Sequence, residues 1–149
     1  MSSPYRMVKR IEVQFRDCDP LGHVNNAVYV TYCEMARFAY CREALGYQPG
    51  DPFTFILARI EMNFRSQARV GEELDVRIRL SGIGRSSFTF AYEIVGVPDG
   101  RIVADGGSVQ VWFDYATQQP TPVPDEFRAL VERFEQRTFP AVSTVSPAS

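Results

Sequence analysis

The sequence is poor in the residues from which metal and redox sites are built. It holds one histidine, His23, and three cysteines, Cys18, Cys33 and Cys41. No two cysteines show the spacing of zinc ligands and one imidazole cannot complete a set, so neither a metal nor another cofactor is expected. An odd number of thiols with no disulfide framework fits reduced cysteines and a cytoplasmic setting. No apolar run reaches the roughly 18 residues that a membrane span needs, and Met1-Ser2-Ser3-Pro4 lacks the pattern of a signal peptide. A formal net charge of −2 gives no broad polyanion-binding surface, so nucleic acid and membrane are not expected partners. What is present is globular: 149 residues, 45% hydrophobic and 23% charged. That suits one domain over 1–149, with a core at about 8–136 that buries about two-thirds of its unfolded surface.

The chain is organised around the stretch from Phe15 to Leu45. Ile11, Val13 and Phe15 alternate with Glu12 and Gln14 as in a strand, which runs into Asp17 and Asp19. Pro20 and Gly22 then break the extended chain. Asn25 and Asn26, good N-cap residues, open a segment free of Pro and Gly until Gly46, a natural stop. A strand end, two acids, the only histidine and a helix start therefore meet within a few residues. Val28, Tyr29, Val30, Tyr32, Met35, Ala36, Phe38, Ala39 and Tyr40 do not fit one stripe, so the helix is expected to be buried nearly all round.

The remainder reads mostly as strands. Phe53 to Phe64 places Ile56, Ala58, Ile60, Met62 and Phe64 on one face. From Glu72 to Ser81, Leu74, Val76, Ile78 and Leu80 alternate with charges, the pattern of a half-buried antiparallel strand. Gly82-Ile83-Gly84 turns into Phe88, Phe90, Tyr92 and Ile94, and Pro98-Asp99-Gly100 marks another hairpin. A long strand from Arg101 to Tyr115 is expected to bend or bulge at Gly106-Gly107. Asp125 to Gln136 reads as an amphipathic helix with Phe127, Leu130, Val131 and Phe134 inward, and the tail after Thr138 as mobile. Long crossovers between parallel strands are absent, so the class is α+β with a mostly antiparallel sheet wrapped around a long helix. Such a sheet leaves an open edge strand in a monomer, which predicts self-association.

The run Asp17-Cys18-Asp19-Pro20-Leu21-Gly22-His23-Val24-Asn25-Asn26-Ala27-Val28-Tyr29 resembles the signature of hotdog-fold acyl-CoA thioesterases, in the branch typified by 4-hydroxybenzoyl-CoA thioesterase. His23-Val24-Asn25-Asn26 also resembles plant acyl-ACP thioesterases, which share the fold. The resemblance covers about Val8 to Tyr115. It implies a central helix wrapped in an antiparallel sheet, and homodimers whose two sheets join, often paired again into homotetramers, with sites at the dimer interface. It implies Asp19 as the catalytic carboxylate and the amide of Asn26 as oxyanion donor. His23 departs from 4-hydroxybenzoyl-CoA thioesterase, so an aromatic substrate does not follow.

Thioester hydrolysis needs a nucleophile or base and donors for the developing oxyanion. A carboxylate facing a helix N-terminus supplies the first, the free N–H groups of that terminus supply the second, and a thiolate leaves without a strong general acid. Asp19 has a bland alternative as a turn former before Pro20. Asp17 is better read as an anchor of that turn. His23 either orients substrate or water and assists proton transfer, or caps the helix through its ring. Glu34 is read as an ion-pair partner of Arg37 or of a second copy, and the cysteines as buried structural thiols. Gly84, Arg85 and Ser86 sit at a hairpin that in hotdog thioesterases lies along the pantetheine channel, and Arg65 and Arg69 are second candidates for the nucleotide end. The resulting expectation is an acyl-CoA thioesterase. The alternatives are an acyl-ACP thioesterase, a non-catalytic module that binds acyl-CoA, and, less well matched, a dehydratase of the same fold.

Overall fold

The computed structural model describes residues 3–52 and 54–140. Strand β1 (Met7–Glu12) leads through a single 3-10 turn at Phe15–Asp17 to helix α1 (Asn26–Leu45). Strands β2 (Phe55–Phe64), β3 (Glu73–Ile83), β4 (Ser87–Val97) and β5 (Ile102–Asp114) follow, then the two-residue β6 (Gln119–Pro120) and helix α2 (Asp125–Glu135). Every pairing is antiparallel, in the order β1-β3-β4-β5-β2, with β6 on the end of β5. Strands β1 and β2 are the two edges. This is the α+β arrangement expected from the sequence.

The alternation in β3 and β4 makes the core. Leu74, Val76, Ile78 and Leu80 are buried, as are Phe88, Phe90, Tyr92 and Ile94 on the neighbouring strand. Tyr29, Tyr32, Cys33, Ala36 and Tyr40 of α1 join the same cluster. These positions recur at helical spacing, so α1 buries one face against the sheet. Asn25 caps the helix, accepting the Ala27 N–H at 2.9 Å, a contact worth about 1 kcal/mol. Gly46, at φ +70°, closes the other end with its N–H on the Cys41 carbonyl.

Several expectations change. Helix α1 is not enclosed on all sides within one chain: Met35 is 40% and Phe38 43% exposed. Strand β2 does not keep one face. Ala58 is an extra residue between the pairs Leu57–Gln110 and Arg59–Val109, so Phe55, not Ile56, packs on the core with Ile60 and Met62. Phe53 lies outside the described residues. No bulge occurs at Gly106-Gly107, where both ladders run through unbroken. The two glycines answer close backbone approach instead: a Cβ on Gly106 would meet the Glu61 carbonyl oxygen, and one on Gly107 would lie 3.0 Å from that of Phe90. The stretch just after Thr138 is not loose. Phe139 is buried, with its N–H on Glu132 and its carbonyl accepting from Arg128; residues 141–149 lie outside the described part. Among the described residues no helix is long and apolar enough to cross a membrane.

Candidate active site

Between β1 and α1 the chain makes two turns in quick succession. The first is held by Asp17. Its Oδ2 accepts the Gln14 N–H at 2.9 Å and the Tyr32 O–H at 2.7 Å, and its carbonyl accepts the Asn25 N–H at 3.0 Å. Asp17 is thus the anchor that fixes the entry to α1. Tyr32, buried beneath it, has its pKa raised first by burial and then by its bond to Asp17.

The second turn is a small hairpin. Cys18 and Val24 pair, the Asp19 N–H donates to the His23 carbonyl at 3.0 Å, and the Gly22 N–H donates back to the Asp19 carbonyl at 3.0 Å. Gly22 takes φ +88°, which side chains rarely adopt. Arg69 pairs with His23 through the backbone, and its guanidinium lies 3.6 Å from where a Cβ on Gly22 would stand. Val24 is fastened to the Ala68 carbonyl at 2.9 Å.

The turn presents Asp19 with its two oxygens in different states. Oδ1 accepts the Leu21 N–H at 2.9 Å, so the turn-forming role is present. Oδ2 makes no hydrogen bond among the described residues; His23 Nδ1 stands 3.9 Å from it, beyond direct bonding. Both side chains are about one-fifth exposed, at 23% and 22%. The His23 ring does not cap α1, since Asn25 does. Asn26 is the first residue of the helix, not its cap, and its N–H donates to no group among the described residues. A carboxyl oxygen without a hydrogen bond and a helix-terminal amide without an acceptor thus sit in one short segment.

The expected binding residues fall at different ends of the sheet. Gly84, Arg85 and Ser86 form the β3–β4 turn, fastened by the Gly84 N–H on Ser87 at 2.6 Å and by the Ser86 and Arg85 carbonyls accepting from Trp112 and Val123. Arg85 is exposed. The Asp19 turn lies at the other end of β3, where the Val13 N–H meets the Glu72 carbonyl. Ten steps of strand, roughly 33 Å, separate the two ends. Within one chain, Gly84, Arg85 and Ser86 are therefore not brought to Asp19, His23 and Asn26. Arg65 follows β2 and is committed to Asp105, with contacts of 3.2 Å that hold the Asp105 carboxyl below its usual range. Glu34 does not pair with Arg37, which donates instead to Tyr92 Oη at 3.0 Å. Cys33 and Cys41 are buried thiols pushed up to about 12 by that burial, and so are not nucleophiles near neutrality.

A model of the thioesterase-like superfamily matches residues 13–131, which takes in the Asp19 turn, α1 and all of β2 to β5. The chain belongs to this superfamily. It is a thioester hydrolase, and its fold is the hotdog fold. A thioesterase from Thermus thermophilus, solved with coenzyme A and Zn, superposes with a TM-score of 0.82 at 33% identity, covering 93% of this chain and all of that one. The long-chain acyl-CoA thioesterase FadM of Escherichia coli is 27% identical over 129 residues, 85% of this chain and 98% of its own. The chloroplastic acyl-acyl carrier protein thioesterase ATL3 of Arabidopsis thaliana is 27% identical over 130 residues, 83% of this chain and 67% of its own.

The sequence reading missed one group of residues. Tyr92, Ser108 and Gln110 carry polar atoms on the buried faces of β4 and β5 and are linked to one another and to Arg37. The signal was there: Ser108 and Gln110 alternate with Val109 and Val111, polar inward and apolar outward, the reverse of an ordinary half-buried strand.

Proposed function

We propose that the protein hydrolyses acyl-CoA thioesters, with Asp19 as general base or nucleophile. The observation that carries this is Asp19 Oδ2, which has no hydrogen bond among the described residues, a few residues before the Asn26 amide, which has no acceptor among them. Attack on the thioester carbonyl, by Asp19 itself or by a water that gives Asp19 its proton, places negative charge on the carbonyl oxygen. The Asn26 N–H and the positive end of α1 receive that charge. The carbon–sulfur bond then breaks, the CoA thiolate leaves and takes up a proton, and the acid is released. If Asp19 attacks directly, water cleaves the resulting anhydride. His23 beside Oδ2 orients the acid or the water.

CoA is bound by two copies of the chain. Strand β2 is an edge of ten residues with Leu57 and Phe64 exposed at 44% and 46%, an open invitation to pairing. Joining it antiparallel to its own copy about a two-fold axis sets the Phe64 end of one strand beside the Phe55 end of the other. The β3–β4 turn lies at the Phe55 end, since Phe55 pairs with Trp112 and Ser87 with Val111. The copy's Gly84, Arg85 and Ser86 then come toward the first chain's Asp19 turn, Arg85 offering a guanidinium to phosphate.

Two variants test the assignment. Asp19→Asn keeps the turn, since an amide oxygen still accepts from Leu21, and should cut kcat for a short acyl-CoA by about two orders of magnitude or more. Asp17→Asn should instead lower the melting temperature. A well-folded Asp19→Asn protein that works near the parent rate removes the role. Mixing inactive Asp19→Asn with Arg85→Glu protein and recovering activity on subunit exchange would support a site shared between copies; no recovery would count against it.

A further inference from the structure

A buried chain of polar groups crosses the interior beside α1. Arg37 Nη1 donates to Tyr92 Oη at 3.0 Å, Tyr92 Oη lies 2.6 Å from Ser108 Oγ, and Gln110 Nε2 lies 2.6 Å from the same serine oxygen. Tyr92, Ser108 and Gln110 are 1%, 3% and 1% exposed. In this arrangement Gln110 Oε1 is buried without a partner among the described residues. An enclosed amide with one end unpaired is costly, and in a native protein it calls for a reason.

The protons decide which end of the amide is the unpaired one. Tyr92 and Ser108 each bring one hydroxyl proton, and Arg37 brings another to Tyr92. With the Gln110 nitrogen against Ser108, one of the two hydroxyl protons has no acceptor. Turning the amide by half a revolution gives each proton an acceptor in one direction, from Arg37 to Tyr92, to Ser108, to the Gln110 oxygen. Such one-way chains reinforce themselves. A separation of 2.6 Å is also short for an N–H donor and ordinary for an O–H donor. The unpaired end is then the NH2 group, a donor.

Gln110 lines a cleft of about 310 Å³ between α1 and the start of β2. Its walls include Phe38, Phe55, Ile56 and Leu57, and Arg37 and Glu34 stand on the helix side. Arg37 and Gln110, the two ends of the polar chain, thus both line this cleft. We infer that, given the acyl-CoA thioesterase activity proposed above, the cleft holds the acyl group and selects one bearing a hydroxyl or keto oxygen, which accepts from Gln110. A hydrocarbon chain fills the same apolar walls but leaves the buried amide unpaired.

The test is kcat/KM for CoA thioesters of equal chain length in unsubstituted, hydroxy and oxo forms, with the oxygen placed at several positions. The parent protein should favour at least one oxygenated member over its unsubstituted counterpart by tenfold or more. Gln110→Met, which keeps the length and removes both polar ends, should abolish that preference. Equal or better turnover of the unsubstituted chain throughout the series would overturn the inference and leave the thioesterase reading standing. Calorimetry with the corresponding free acids reads the cleft without turnover. Tenfold tighter binding of an oxygenated acid by a protein that hydrolyses no thioester would keep the inference about the cleft and sink the hydrolytic one.

Discussion

Helix α1 is tied down toward each end by a tyrosine that donates to a carboxyl group, and the two ties lie in different surroundings. Tyr32 donates to Asp17 at 2.7 Å, in a half-buried loop whose task is to present the Asp19 turn. Two turns further along, Tyr40 donates to Glu135 at 2.6 Å with both residues enclosed, 0% and 7% exposed. Glu135 Oε2 also accepts the Leu80 N–H at 2.9 Å, beside the place where the β3–β4 register shifts. One bond fixes where chemistry is expected; the other joins α1, α2 and β3 where no water can replace a lost partner. The same pair of groups therefore differs in worth by its surroundings, because a donor orphaned in the interior loses its solvation as well as its bond.

The largest effect should come from breaking the enclosed tie. Glu135→Leu leaves the Tyr40 O–H and the Leu80 N–H without an acceptor and should cost about 3–5 kcal/mol, read from urea unfolding. Glu135→Gln keeps an acceptor in place and should recover part of the loss. A cost for Glu135→Leu of about 1 kcal/mol or less, the size expected at an exposed pair, would erase the contrast.

Titration gives a second effect on the same interior, smaller when taken over a single pH unit. Burial raises the Cys33 and Cys41 thiols from 9.0 to about 12, against a weaker lowering by Arg37, and raises Tyr40 as well. In the unfolded chain these thiols lose their protons near pH 9, while the folded protein holds them to about pH 12. The folded state then binds more protons than the unfolded one, so stability is full below pH 9 and falls as the pH rises toward 12. The slope should approach about 1.4 kcal/mol per pH unit for each thiol. Unfolding free energy measured in steps from neutral to alkaline pH checks this, and a flat profile would contradict it.

Much of this was legible in the sequence because it follows from period and from turn chemistry. The alternation in β3 and β4, the Pro20–Gly22 break, the Asn25 cap and the Gly46 stop each depend on a few neighbouring residues. What was not legible depends on contacts across the fold. Whether Met35 and Phe38 are covered is a matter of what lies beyond one chain, and apolar composition alone made α1 look enclosed. The Ala58 bulge changes which residues of β2 face inward, yet nothing in Phe55–Phe64 marks it. Gly106 and Gly107 were recognised as special but for a different reason: adjacent strands approach them, and the ladder does not break. The site divides in the same way. The Asp19–Asn26 segment is local and could be read; the separation of Arg85 from it, and the Arg37–Gln110 chain, are set by which strands become neighbours.

The smallest effect belongs to the half-buried tie, and it separates position from chemistry. Tyr32→Phe removes the O–H that Asp17 accepts and leaves the Gln14 N–H on the same oxygen, at 2.9 Å. Asp17 is half-buried, so water can take the vacated place, and the cost in stability should be about 1 kcal/mol. The Asn25 N–H still holds the Asp17 carbonyl at 3.0 Å, which keeps the start of α1 where it is. Turnover should therefore fall only a few-fold, through a looser Asp19 turn, and Asp17→Asn combined with Tyr32→Phe should cost little more than Asp17→Asn alone, because both changes act on one bond. A double-mutant cycle on unfolding and on kcat reads both quantities. A large loss of kcat with unchanged stability in Tyr32→Phe would mean that Asp17 takes part in the reaction, and the division of labour between the two acids would have to be redrawn.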